Sequence, residues 1–133
     1  MKQYCENALT VAKFLEASDK IASVRYPALP GNEHFERAKK HLAARHSGVM
    51  SIDIKGGRAP AMKFMDSLKL ACNEVHVADI RTCVLHPASE THRQLTDEQL
   101  VAAGIEPGMV RISVGLENVE DIIADLQQAL DQI

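Results

Sequence analysis

The chain has 133 residues, 46% of them hydrophobic and 25% charged, with a net charge of −3. That suffices for one domain with its own core and is too little for two of ordinary size. No basic stripe with interleaved aromatic residues occurs, which argues against a nucleic-acid partner, and no apolar run approaches the length needed to span a membrane.

About Tyr4 to Ala17 repeats Ala8, Val11, Ala12 and Leu15 at helical spacing and predicts an amphipathic helix. Ile21 to Tyr26 predicts a short strand, broken by Pro27 and Pro30-Gly31. Asn32 is placed to cap a helix running to about Ala44, with Phe35, Ala38 and Leu42 inward. Its Arg37, Lys39 and Lys40 share that helix with Glu33 and Glu36, the pattern of a solvated face. Gly48 to Lys55 alternates Met50, Ile52 and Ile54 against Val49, Ser51 and Asp53, a half-buried strand. Gly56-Gly57 ends it. Pro60 stands near the start of the next helix, whose inner stripe is Ala61, Phe64, Met65 and Leu68.

Glu74 to Ala78 and Thr82 to Leu85 predict two strands joined by a tight turn at Asp79-Ile80, stopped by Pro87. Thr96 and Gln99 form a capping box for a helix from Asp97 to Ala103, ended by Gly104. Val110, Ile112 and Val114 then alternate with Met109, Arg111 and Ser113, so Arg111 sits on the polar face of a strand. Asn118 caps a last helix with the stripe Val119, Ile122, Ile123, Leu126 and Leu130. The expected fold is a two-layer α+β domain, a small, mainly antiparallel sheet with helices on one face. Its other face collects Ser51, Asp53, His76, Arg111 and Ser113, and is either wet or covered by something outside this sequence.

An arginine fork held on a strand suits a carboxylate or phosphate. Little else suggests chemistry. Cys5, Cys72 and Cys83 are odd in number and widely spaced. That argues against a disulfide framework and a zinc site and leaves a reduced, cytoplasmic setting as the expectation. Cys72 and Cys83 are read as small buried residues. None of the six histidines has a second metal ligand at useful spacing, including His86 and His92 in one loop. Ser89, Thr91 and His92 lack the nucleophile elbow of a hydrolase, and Gly56-Gly57 lacks the Lys-Ser/Thr ending of a phosphate loop. No complete catalytic set and no metal set emerge from spacing.

Motifs in chain order say more. They are Asp66-Ser67-Leu68-Lys69-Leu70, His76-Val77-Ala78-Asp79, and Leu85-His86-Pro87-Ala88-Ser89-Glu90-Thr91-His92. Leu95-Thr96-Asp97-Glu98-Gln99-Leu100, Val110-Arg111-Ile112-Ser113-Val114-Gly115-Leu116-Glu117 and Asp121-Ile122-Ile123-Ala124-Asp125-Leu126 continue the series. With Tyr26-Pro27-Ala28-Leu29 upstream, the chain closely resembles the C-terminal domain of the Cys/Met-metabolism family of pyridoxal-phosphate (PLP) enzymes. The best match is to O-acetylhomoserine sulfhydrylases, with cystathionine γ-synthases, cystathionine lyases and methionine γ-lyases as more distant relatives.

The resemblance implies the small domain of a fold-type I PLP-dependent transferase, occupying residues 1–133. Such an enzyme exchanges the acetyl group of O-acetylhomoserine for sulfide in methionine biosynthesis, giving homocysteine and acetate. It implies that Arg111 binds the α-carboxylate of a small amino-acid substrate. It places His76 where many relatives carry a serine or asparagine near that carboxylate, a departure from the commoner residue. Ser89, Thr91 and His92 fall in the segment near the active-site entrance. The family's Schiff-base lysine lies in a Ser-x-Thr-Lys motif that none of the eight lysines here shares. The PLP-binding large domain is therefore expected to be missing, no PLP is expected bound covalently to this chain, and the chain alone is expected to be inactive. The full-length family implies a homo-oligomer, a tetramer. The alternatives are a stand-alone, non-catalytic binding or assembly module, and a domain of a γ-synthase or γ-lyase. A small-molecule sensor of the two-layer kind is a further reading, which the Arg111 motif fits less well.

Overall fold

The computed structural model describes residues 1–42 and 46–133. Helix α1 (Lys2–Glu16) buries Ala8, Val11, Ala12 and Leu15, the stripe that sequence spacing marks out. Strand β1 (Ile21–Arg25) follows, then α2 (Phe35–Leu42), β2 (Val49–Ile54), α3 (Arg58–Ser67), β3 (Cys72–Asn73), β4 (Cys83–Leu85), α4 (Asp97–Ala102), β5 (Met109–Ser113) and α5 (Val119–Leu130). Helix α2 buries only Ala38, with Phe35 half-buried and Leu42 exposed. Its expected end near Ala44 lies outside the described residues.

The sheet runs β1-β2-β5-β4-β3. Three pairings are antiparallel, and β3 pairs with β4 in parallel. The fold is the expected α+β type, with a mixed sheet. Met50 opposes Ile112, which opposes Val84, and Ile52 opposes Val110. These side chains are buried in one core with residues of α1, α3 and α5. Fully burying an aliphatic side chain contributes about 1.5–3 kcal/mol, so this layer carries most of the fold's stability.

The expected hairpin over residues 74–85 does not form. After β3 the chain leaves the sheet and crosses its helix-free face as an irregular loop, then returns parallel to β3 as β4. Side chains of the sheet hold that loop. The Ser113 hydroxyl accepts the N–H of Ala78 at 3.1 Å, and Arg111 Nη2 donates to the Val75 carbonyl at 2.7 Å. Ala78 adopts φ 59°, a conformation at odds with a continuing strand. Local alternation around Val75 and Val77 thus loses to tertiary hydrogen bonds. Further back, both oxygens of the buried Asp125 carboxylate accept the N–H groups of Lys69, Leu70 and Ala71 at 2.8–2.9 Å. The carboxylate thereby ties the α3–β3 connection to α5.

The punctuation of α4 follows expectation. Thr96 and Gln99 form a reciprocal capping box, and Gly104 adopts φ 77° just beyond the end. Asn118 caps α5 by accepting the N–H of Glu120. No helix among the described residues is long and apolar enough to cross a membrane.

Candidate functional site

Register places the key side chains. On the helix-free face Arg25 of β1 opposes Ser51 of β2, Ser51 opposes Arg111 of β5, and Arg111 opposes Leu85 of β4. One row thus carries two arginines on either side of a serine. Above it lies an open cavity of about 580 Å³, lined by this row together with Thr91, His92 and Pro87 from the segment after β4.

The two arginines differ. Arg25 faces the buried carboxylate of Asp53, at 3.0 Å, which neutralises it. Arg111 has no ion pair among the described residues. Its Nη2 is engaged by the Val75 carbonyl, while its Nε is buried without a hydrogen-bond partner. A buried N–H left unpaired costs about 1–3 kcal/mol. At the cavity wall this cation, held in place by the strand, suits a carboxylate.

Of the residues expected at the site, the structure brings Arg111, Thr91 and His92 to one cavity. Thr91 Oγ1 lies 2.9 Å from His92 Nδ1. Ser89 is turned inward instead, its hydroxyl 2.8 Å from Nδ1 of the fully buried His86. His86 Nε2 meets the Pro107 carbonyl at 2.9 Å. A carbonyl only accepts, so Nε2 carries a proton. His76 is likewise outside the cavity. It lies on the loop, not on a strand, with Nδ1 3.0 Å from Glu74 Oε2; the carbonyl of its neighbour Val75 accepts from Arg111.

Two positioning residues carried no readable signal in the sequence. His86 pins the start of the segment after β4 to the turn before β5. Arg58 at the start of α3 donates to the Ala88 carbonyl and pairs with Asp97 at 2.6 Å, joining that segment to α4. Their partners are remote in sequence, so no spacing rule finds them.

Cys83 is buried and Cys72 only half-buried, contrary to the reading of both as core residues. They are register partners on β3 and β4. Burial pushes the Cys83 thiol up from its ordinary value. Hydrogen bonds from the Arg81 backbone and guanidinium hold the Asp79 carboxyl below the usual range.

Comparison with known proteins places the chain. The model of the family described as Cys/Met metabolism PLP-dependent enzyme matches residues 1–131. The chain belongs to that family. It is 42% identical to an O-acetyl-L-homoserine sulfhydrylase of Leptospira meyeri, covering 100% of this chain and 30% of the relative. It is 44% identical to an L-methionine gamma-lyase of Porphyromonas gingivalis, covering 100% of this chain and 33% of that protein. A Campylobacter jejuni crystal structure described as an O-acetylhomoserine (thiol)-lyase superimposes with a TM-score of 0.89 at 37% identity, over 98% of this chain and 31% of that one. The chain thus spans about a third of the length of the relatives it matches.

The family is PLP-dependent, and the Campylobacter structure contains a pyridoxyl-lysine monophosphate. None of this chain's lysines lines the Arg111 cavity. The arginines there offer a grip for a carboxylate.

Proposed function

We propose that residues 1–133 are the C-terminal, small domain of a PLP-dependent enzyme of sulfur-amino-acid metabolism, and that Arg111 binds the α-carboxylate of its substrate. The observation that carries this reading is the state of Arg111, a strand-held cation at a cavity wall with a buried, unpartnered Nε. Thr91 and His92 shape the cavity's rim. Ser89 supports the rim from below through His86, and His76 flanks the site through the Val75 carbonyl. The cofactor and its lysine come from a large domain outside these residues, so the chain alone is inactive. The loop's exposed Val75, Val77 and Ile80 agree with a surface that further polypeptide covers. The full-length enzyme is a soluble, cytoplasmic homo-oligomer, a tetramer in this reading.

For the reaction, we favour sulfhydrylation of O-acetylhomoserine to homocysteine. The motif series and the 42% identical sulfhydrylase support it. Methionine γ-lyase is the second reading, favoured by an identity of 44%. The test is a chimera in which this chain replaces the matching segment of the Leptospira meyeri sulfhydrylase. Sulfide with O-acetylhomoserine, and methionine alone, are then assayed side by side. Turnover of the first pair is expected. In the chimera Arg111→Ala is expected to lower kcat/KM by about one to two decades, the equivalent of about 1.5–3 kcal/mol for a charge-assisted contact. An unchanged kcat/KM would remove Arg111 from the role.

A further inference from the structure

The Arg111 cavity has a second cation on its floor, and that cation brings its own counter-ion. Arg25 and Arg111 stand on either side of Ser51 in one register row. Two strand spacings separate them, roughly 9.6 Å along the sheet. Both line the cavity, and among the described residues no carboxylate does. A ligand whose carboxylate meets Arg111 therefore runs its far end across Ser51 towards Arg25.

Arg25 is not a free charge. Its Nη2 lies 3.0 Å from Asp53 Oδ2, and its side chain is 46% exposed where that of Asp53 is 9% exposed. Asp53 stands one row further along β2, opposite Ser23 and Met109. Ser23 donates its hydroxyl to the same Oδ2, so the carboxylate is fixed from behind Arg25. Asp53 also lines a second hollow of about 450 Å³, which shares Arg25 and in which Lys55 and Glu106 offset one another. Asp53 Oδ1 is buried without a partner. A buried oxygen left unpaired costs stability, which sets Asp53 apart from an ordinary structural ion pair. The contact with Asp53 takes one edge of the guanidinium and leaves other N–H groups for the cavity. Those groups can donate to an uncharged acceptor such as a carbonyl oxygen. A second anion there would place its charge beside that of Asp53, and like charges repel.

We propose that the Arg25–Asp53 pair sets the ligand class of this cavity. It selects a molecule with one carboxylate and an uncharged, hydrogen-bond-accepting far end, and it works against dicarboxylates. Two guanidinium groups and one carboxylate give the floor a formal charge of +1. A monoanion neutralises that charge and a dianion overshoots it. Asp53 acts through Arg25 and is a positioning residue. The inference rests on the reading of Arg111 as the grip for the ligand's carboxylate.

The test compares glutarate with its monomethyl ester, which share one carbon skeleton and differ by one charge. Each is titrated into the 133-residue chain at low salt and followed by the NMR shifts of the Ser51 and Arg111 backbone amides. The monoester is expected to bind at least as tightly as the dianion. Asp53→Asn keeps the shape and removes the charge, and should shift the affinity ratio towards glutarate by about fivefold to tenfold. About 0.5 M NaCl should erase most of that shift by screening. Arg25→Gln should move the ratio the opposite way, and it stands as the second arm because the buried Asp53 variant can misfold. A merely repacked wall would change both affinities together and would not respond to salt. Arg111→Met should abolish both responses. If it does not, or if neither probe shifts the signals of the unaltered chain, the Arg111 reading fails and this inference falls with it. If Arg111→Met does abolish them, an unchanged ratio in folded Asp53→Asn or in Arg25→Gln overturns this inference alone. So does a preference of the unaltered chain for glutarate beyond the statistical advantage of its two identical ends.

Discussion

On the helix-covered face of the sheet, Met50, Ile52, Val84, Val110 and Ile112 meet α1, α3 and α5, and each lies where strand alternation puts it. On the other face, Arg25, Ser51, Arg111 and Leu85 form one row, yet their surroundings come from the 74–81 loop and the 86–95 segment. The covered face is held by burial, which is non-directional and tolerates exchange among apolar residues of similar size. The open face is held by single directed hydrogen bonds, such as Arg111 to Val75 and Ser113 to Ala78. The difference separates stability from binding. Substitutions on the covered face should unfold the chain, whereas substitutions on the open face should leave it folded and change what it holds.

The sharpest way to break that division is Phe64→Ala. Phe64 is fully buried between α3 and the sheet, and the change should cost about 3–5 kcal/mol in denaturant unfolding. A loss below about 1 kcal/mol would mean that the helix layer does not carry the fold. Next comes Asp125→Ala, which strips three backbone N–H groups of their shared acceptor. Charge-assisted hydrogen bonds contribute about 1.5–3 kcal/mol, so a loss of about 3 kcal/mol is expected. Amide exchange should speed up at residues 69–71 before it does in β2, and uniform exchange would count against a local tie.

Arg111→Met addresses the open face. Among the described residues the bond to Val75 is lost, and the cost of the unpaired Nε is lost with it, so stability should change by no more than about 1 kcal/mol. The NMR signal of the Arg111 Nε–H should shift when O-acetylhomoserine is added to the parent chain and not when its methyl ester is added. An equal response to both would rule out the carboxylate as the recognised group.

The smallest effect concerns pH. Burial, with a further contribution from Cys5, pushes Tyr26 up to about 12, and its hydroxyl donates to the Ser47 carbonyl at 2.7 Å. The unfolded phenol ionises near 10. The folded state therefore binds this proton more tightly, and the stability it confers is complete below about pH 10 and lost as pH rises towards 12. Tyr26→Phe should cost about 1 kcal/mol at neutral pH and flatten the alkaline decline. A decline of the same steepness in the variant would assign it to other groups.

Elements whose partners lie nearby in sequence were legible from residues alone. The Thr96–Gln99 box, the Gly104 stop, the Asn118 cap and the alternation of β2 and β5 depend on neighbours within a few positions. The motif series carried the family, because it records a whole arrangement rather than a local preference. What misled was also local. Glu74 to Ala78 has the alternation of a strand, but its backbone groups bond to Arg111 and Ser113, more than thirty positions away. Cys72 and Cys83 looked unrelated until parallel pairing set them side by side.

The amino-acid sequence by itself determined the layers of this protein, the polar side of β5 on which Arg111 stands, and the family. Those follow from periodicity and from residue order, which a chain carries before it folds. Only the tertiary structure decided that Ser89 serves His86 and that His76 joins Glu74 and Asp79 in place of the Arg111 cavity. It alone left Arg111 with a buried donor unfilled. Those outcomes depend on which remote groups compete for the same hydrogen bond, and that competition exists only once the chain has closed on itself.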